Sequence, residues 1–345
     1  MAPSSESVGK SLDRKLERLL ADPGCGDFIL ADAKDADMAF GLAAPGHRAG
    51  GSFRSLDEFR DTIREVVRQG LVDVMLMSAS TSERLAIDDG LFASSTVTPA
   101  VRMNDTTDIW LAAGSATYPR QPALPFATTT IAHAQVGRLD VSASTPSRVD
   151  LGLFSITLNG DAALDRDMLT AYRDFRHQAE RTGLRHFLEV FFPNAMPPDR
   201  APLGIARFVA DHVVRLLAGV TRAGRPLFLK IPYLGPEITE QLASYDRSLI
   251  VGILGGSAGT THDAFALVAD SKRHGARVAL FGRKINAAEH QLEFIRFLRA
   301  VADDALPAPE GVRAYHAELA RLGIRPNRPL DEDLQLTPTA AAYGS

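Results

Sequence analysis

Short apolar runs recur along this chain, and most are followed by a segment with helical periodicity. They read as strands at Phe28–Ala31, Val72–Met77, Pro99–Met103, Val149–Leu158, His186–Phe192, Leu227–Ile231, Leu249–Leu254 and Arg277–Phe281. Runs this short suit strands buried on both faces, as in a parallel sheet. The segments between them carry helix signals. Ser55-Leu56-Asp57-Glu58 is a capping box, opening a helix that runs to about Gln69 and stops at Gly70. Leu164–Arg181 stops at Gly183, and the helix to Tyr245 has Pro236 in its first turn. Gly204–Val220, Thr260–His274 and Ala287–Val301 are the later helices, and Leu12–Leu20 precedes the first strand. About eight strand–helix units over roughly 280 residues predict a (β/α)8 TIM barrel. An open doubly wound sheet is the alternative. It fits less well because no Gly-x-Gly-x-x-Gly follows the first strand, while the last two strands end in glycines.

One barrel domain is expected over residues 1–324, followed by a tail over 325–345. The rhythm fails once, between Ala112 and Arg148, where prolines stand at 119, 122 and 125. This excursion reads as a hairpin over one barrel end or as an oligomer contact, with a short strand at Thr128–Ile131. Gly311–Leu322 adds one more short helix.

Composition removes several classes of function. The net charge is −4 with no basic stripe, so nucleic acid is not an expected partner. Cys25 is the single cysteine, which rules out an internal disulfide and a cysteine-rich metal site. Met1–Arg18 lacks the apolar core of a signal peptide, and no run approaches the ~20 apolar residues that span a bilayer. The expectation is a cytoplasmic homo-oligomer without membrane contact and without a cofactor.

Lys230 stands near the end of the sixth strand, and Pro232 cannot extend the ladder. It therefore lies at the C-terminal end of a buried strand, where barrels of this kind place their active sites. A buried ammonium is costly unless it is paired or its pKa falls. A lysine of lowered pKa attacks carbonyls. Bringing one from ~10.4 to about 7.5 takes roughly 4 kcal/mol of differential interaction. The alternative is a lysine that reaches the rim or pairs with a carboxylate. Lysines are few here (Lys10, Lys15, Lys34, Lys230, Lys272, Lys284), and only Lys34 and Lys230 fall close to C-terminal strand ends. Lys284 lies beyond its turn. Lys34 either assists Lys230 by like-charge repulsion or pairs with Asp32 or Asp37.

Two consecutive strands end in glycine turns, Gly255-Gly256 and Gly282-Arg283. Glycine lets backbone amides approach an anion, a following helix adds its dipole, and Arg283 adds charge. These turns are the candidate phosphate site. Asp32 and Asp35 follow the first strand, and Glu189 lies inside the fifth. Glu189 should point into the barrel, either in a buried pair with a lysine or as a proton-transfer group. Tyr233 and Arg102 are weaker candidates on the rim. His47, His133 and His262 show no paired metal-ligand spacing, whereas Asp32, Asp35 and Asp37 could hold Mg²⁺.

These motifs resemble the class I aldolase superfamily that holds deoxyribose-phosphate, archaeal-type fructose-bisphosphate and tagatose-bisphosphate aldolases. Phe228-Leu229-Lys230-Ile231-Pro232-Tyr233, Gly255-Gly256 and Phe281-Gly282-Arg283-Lys284-Ile285 carry the likeness. Phe187-Leu188-Glu189 is similar to the tagatose branch, and Leu30-Ala31-Asp32 to the archaeal one. The resemblance implies a lysine–ketose Schiff base at Lys230. Phosphate would be held by Gly255, Gly256, Gly282 and Arg283. The base that takes the proton of the departing hydroxyl would be Glu189 or Asp32. Departures exist: the fourth strand ends Ser155-Ile156-Thr157-Leu158-Asn159 where the tagatose branch has a second lysine, and Gly-Arg-Lys replaces the usual Gly-Arg-Asn. The expected activity is cleavage or formation of a phosphorylated ketose. A metal-dependent lyase or isomerase, and a sugar-phosphate binder without catalysis, are the alternatives.

Overall fold

A computed structural model describes residues 8–22, 24–48, 51–112, 120–140, 145–201, 203–256 and 259–337. Helix α1 (Ser11–Ala21) precedes β1 (Ile29–Lys34), and α2 (Asp37–Phe40) and α3 (Leu56–Gln69) lead to β2 (Val74–Met77). Next come α4 (Ala79–Ser82) and β3 (Thr98–Arg102). A small outlying pair, β4 (Asp105–Thr106) and β5 (Pro125–Phe126), flanks α5 (Thr107–Ala112), and α6 (Ile131–Val136) follows. Regular alternation resumes with β6 (Leu151–Thr157), α7 (Ala162–Thr182), β7 (Arg185–Phe191), α8 (Ile205–Ala218), β8 (Leu229–Lys230) and α9 (Pro236–Tyr245). The chain continues through β9 (Gly252–Leu254), α10 (Thr261–Arg273), β10 (Val278–Phe281), α11 (Arg283–Asn286), α12 (Gln291–Ala302), α13 (Ala308–Arg321) and α14 (Leu330–Asp333).

The eight larger strands pair in the order β8-β7-β6-β3-β2-β1-β10-β9, all parallel. Parallel bridges Phe228↔Ile250 and Ile231↔Ile253 join the two ends. The Leu229 amide donates to Ile250 O at 2.9 Å and the Ile231 amide to Gly252 O at 3.0 Å. The sheet is therefore a closed (β/α)8 TIM barrel, and the open doubly wound sheet is set aside.

Alternation along each strand divides two cores. Ile29, Ala31, Val74, Leu76, Phe187 and Phe228 belong to the inner cluster, together with Leu12, Leu16 and Leu19 of α1. Those three leucines recur at helical spacing, so α1 lays one apolar stripe across the N-terminal end of the barrel and plugs it. Phe187 and Phe228 stack inside, ring centroids 4.7 Å apart. Leu30, Met75, Met77, Val101, Ile156 and Leu188 belong to the outer cluster, beneath the helices. Successive strand residues point to opposite faces, so this parity decides which polar residue at each strand's C-terminal end reaches the barrel mouth.

Two local expectations are corrected. Thr128–Ile131 is not a strand: the Thr130 hydroxyl accepts the His133 amide at 3.2 Å and caps α6. A threonine at an N-cap starts a helix by satisfying one of its free amides. The segment after 325 is not a loose tail as far as residue 337. Asp333 is buried, its Oδ1 accepts the Thr261 amide at 2.7 Å, and the Thr337 amide donates to Asp263 Oδ1 at 2.8 Å. Residues 113–119 and 141–144 of the excursion, and 338–345 of the tail, lie outside the described residues.

Gly252 marks the tightest part of the inner sheet: a Cβ there would overlap the Leu229 carbonyl oxygen and crowd Val278 Cβ. Backbone cannot rotate away as a side chain can. Gly252→Ala should lower the unfolding free energy by about 2 kcal/mol or more, read as a fall in the urea midpoint at unchanged m-value.

Candidate active site

Four charged side chains converge in the barrel mouth. Lys230 on β8 and Glu189 on β7 are register partners, and their side chains meet with Nζ 2.6 Å from Oε1. Arg102, at the end of β3, donates from Nη1 to Asp35 Oδ2 at 2.7 Å and to Glu189 Oε2 at 3.4 Å. Its Nη2 donates to Ser155 Oγ at 3.0 Å, and its Nε to Asn104 O at 3.0 Å. The Ser155 hydroxyl donates to Glu189 Oε2 at 2.6 Å. Asn104 locks the serine's backbone from both sides, accepting its amide at 2.7 Å and donating to its carbonyl at 2.8 Å. All of these side chains are buried, and Lys230 keeps 7% exposure. Thr157, the next inward residue on β6, has a buried hydroxyl with no protein partner among the described residues.

Burial would raise the Asp35 carboxyl, but the charges of Arg102 and Lys230 outweigh it and hold the group below its usual range. Burial works against the Arg102 guanidinium, and Asp35, Glu189 and Asp105 more than compensate, so it stays firmly charged. Asp105, 4.0 Å from Arg102, is pushed up by burial, with Arg102 opposing. The mouth thus sets Lys230 and Arg102 against Glu189 and Asp35, with a third carboxyl, Asp105, drawn toward its neutral form.

Asp32 and Lys34 are elsewhere, and this corrects their reading as mouth residues. Counting from inward-facing Ile29 and Ala31, they fall on the outer face of β1. Lys34 Nζ lies 3.3 Å from Asp32 Oδ2 and donates to Gln291 Oε1 of α12 at 2.9 Å. Both are fully buried between barrel and helices, at 0% and 1% exposure. Burial pushes Asp32 up to about 6 despite Lys34. Burial also lowers Lys34 against the pull of Asp32. Like-charge assistance to Lys230 from Lys34 and proton transfer by Asp32 are therefore both without a geometric basis. Tyr233 is also displaced, donating to Asp270 Oδ2 at 2.6 Å. The three aspartates considered for Mg²⁺ do not converge: Asp32 meets Lys34, Asp35 meets Arg102, and Asp37 accepts from Ser78 at 2.6 Å.

The glycine turns divide by role. The Gly255 amide already donates to Leu280 O at 2.7 Å, and a Cβ at Gly255 would overlap the Phe281 ring. Close packing accounts for that glycine. The Gly256 and Gly282 amides donate to no protein acceptor among the described residues. Arg283 is exposed on the same end, its guanidinium 5.6 Å from the Phe40 ring centroid. Ser257 and Ala258 lie outside the described residues. The expected dipole of α10 is already occupied: Asp263 accepts the Thr260 amide at 2.7 Å, and Asp333 accepts that of Thr261.

Solved structures share this architecture. A fructose-bisphosphate aldolase from Slackia heliotrinireducens superposes with a TM-score of 0.61 at 16% identity, over 88% of this chain and 89% of that one. A Schiff-base-forming fructose-1,6-bisphosphate aldolase gives 0.58 at 17% identity, over 85% and 100%. Cgl0159 from Corynebacterium glutamicum gives 0.54 at 14% identity, over 86% and 94%. The likeness establishes the fold. No protein-family model matches the sequence, and no curated protein matches it at a significant level. No helix among the described residues is long and apolar enough to cross a membrane.

The Asp32–Lys34 pair generates a stability test. Losing one member of a buried pair leaves the other uncompensated, whereas replacing both with apolar groups is often neutral or better. Asp32→Ala should cost about 3–5 kcal/mol. Asp32→Leu with Lys34→Met should match or exceed wild type in urea unfolding. Asp32 is proton-loving in the fold, so its stabilising contribution is complete below its ordinary 3.8 and is lost as pH rises through about 6. The advantage of the double variant should therefore widen from pH 4 to pH 7.

Proposed function

We propose that this chain is a class I aldolase, a carbon–carbon lyase that cleaves or forms a phosphorylated ketose through an imine on Lys230. The observation that carries this reading is the 2.6 Å Lys230–Glu189 contact at the C-terminal mouth of the barrel. The strand-end glycines of β9 and β10 stand next around the same rim. Aldolases among the solved structures of this fold agree with it.

The chemistry follows from the partners. Glu189 takes a proton from the Lys230 ammonium, and the free amine attacks the ketone carbon. Glu189 returns that proton to the alkoxide to give the carbinolamine, then relays a second proton from the nitrogen to the carbinolamine hydroxyl, which leaves as water and gives the iminium. The iminium is an electron sink, so the C3–C4 bond breaks toward nitrogen and leaves an enamine. Glu189 accepts the proton of the C4 hydroxyl as the aldehyde departs. It then protonates C3 of the enamine, and water hydrolyses the resulting iminium to free the second product and the amine. One carboxylate thus closes the proton cycle. Ser155 and Arg102 are positioning residues: their contacts to Oε2 leave Oε1 to face Lys230. Gly256, Gly282 and Arg283 would hold the phosphate, with free amides and one cation.

Borohydride reduction with a ketose phosphate should add one ligand mass to the Lys230 peptide. Lys230→Arg should abolish both adduct and turnover, because arginine keeps the charge and forms no imine. An adduct on another lysine, or turnover that survives the substitution, would end this reading.

Arg283→Ala should raise KM for the phosphorylated substrate about 10-fold while leaving an unphosphorylated analogue nearly unchanged. Equal loss on both would place the phosphate elsewhere.

A further inference from the structure

A cavity of about 450 Å³ opens between the segments that follow β1 and β2. The mechanism above does not use it. Asp37, Ser78, Ser80, Thr128, Thr129 and His133 supply its polar lining. Asp37 Oδ2 accepts from the Ser78 hydroxyl, while Oδ1 is buried with no protein partner among the described residues. The His133 ring nitrogen Nδ1 lies 3.0 Å from Thr130 Oγ1, and Nε2 has no protein partner among the described residues. Glu83 adds a second carboxylate to the lining, and no lysine or arginine is found among the described residues there.

Its place on the rim gives the cavity meaning. Following the sheet as β8-β9-β10-β1-β2, β2 stands fourth from β8, across the mouth from Lys230. The glycine turns of β9 and β10 lie between the two. A polar path crosses the mouth from Lys230 to Glu189, Arg102 and Asp35, two residues before Asp37. Asp35 in the mouth and Asp37 in the cavity lining thus stand two residues apart on one segment, which sets the cavity beside the β1 side of the mouth.

We infer that the cavity is the subsite for the aldehyde half of the substrate, and that it takes a polyhydroxylated chain without phosphate. This rests on the Schiff-base reading of Lys230. Hydroxyls of such a chain find hydroxyl partners at Ser80, Thr128 and Thr129, and the carboxylate of Glu83, in the lining. A phosphate dianion would meet Asp37 and Glu83 with no lysine or arginine among the described residues of the lining to offset them, and like charge brought together is a device of exclusion. The two ends of the substrate are thus told apart by charge: Arg283 at one, carboxylates at the other.

Aldol synthesis with dihydroxyacetone phosphate as donor tests this. D-glyceraldehyde is compared with D-glyceraldehyde 3-phosphate, and D-erythrose with D-erythrose 4-phosphate. The unphosphorylated acceptors should show kcat/KM at least about 10-fold higher. Thr129→Lys, and separately Ser80→Lys, should each move that ratio about 10-fold toward the phosphorylated acceptor by adding the missing cation. Equal or preferred use of phosphorylated acceptors by wild type, or use of neither kind, overturns the inference. A wild-type preference that neither lysine alters also overturns it, since the selection then lies outside this cavity. Borohydride trapping of donor alone on Lys230 separates the two levels. With no trapped donor the imine reading falls and takes the subsite with it; with donor trapped, a wrong acceptor preference removes the subsite only.

Discussion

The Lys230–Glu189 pair is the interaction on which the barrel mouth depends. Each buried ion forfeits several kcal/mol of hydration, and attraction between them repays this only when the remaining hydrogen-bonding capacity is also met. On the glutamate side it is met by construction. Glu189 Oε1 faces the ammonium, and Oε2 takes the Ser155 hydroxyl and Arg102. Arg102 in turn needs Asp35, and its Nε needs the Asn104 carbonyl. Asn104 then fixes the Ser155 backbone. Removing any one of these leaves a buried polar group short of a partner. The same network that makes the mouth expensive holds Glu189 in one orientation, with Oε1 against the Lys230 ammonium nitrogen.

Most of the architecture was legible because it rests on local patterns. Short apolar runs, the Ser55–Glu58 capping box and Gly183 after α7 announce strands and helix ends without tertiary information. The site was legible where parity was respected. Glu189 sits among alternating inward and outward residues, and its inward aim follows from position alone. Asp32 was misread because closeness to the strand end was weighed without counting faces. From Ile29 and Ala31 inward, the next odd positions are Ala33 and Asp35, so Asp35 enters the mouth while Asp32 and Lys34 face α12. That signal was in the sequence. The contribution of Ser155, and the rise of Arg102 from a rim candidate to the centre of the network, were not. They depend on side chains from β3, β6 and β7 meeting across sequence gaps of 34 to 87 residues.

Glycine was the less specific clue. Gly252 and Gly255 are required by packing against Leu229 and Phe281, whereas the amides of Gly256 and Gly282 have no protein acceptor among the described residues. A strand-end glycine therefore signals close approach of backbone first and anion binding second. The helix behind the β9 turn shows the same economy. Its N-terminal amides are claimed by Asp263 and by Asp333 from the C-terminal segment, and Lys284 Nζ donates to Gly259 O at 2.9 Å. The turn is braced from both sides, and a dipole that could have served a ligand instead fastens the chain's end to the barrel.

Charge differs from sector to sector around the rim in a way the fold alone does not set. The eight strands give every barrel of this architecture the same cup, and the loops decide what each sector of it tolerates. In this chain the sector at β10 carries an exposed arginine, the sector from β3 to β8 carries a near-balanced buried network, and the sector at β1 and β2 carries carboxylates and hydroxyls. The middle sector could not accept a phosphate without breaking pairs that Arg102 already makes. The last sector has two carboxylates and no lysine or arginine in its lining among the described residues. On the proposed Schiff-base reading, a ligand with one anionic end and one uncharged hydroxylated end would turn the first toward Arg283 and the second toward Asp37 and Glu83, because like charge opposes the reverse.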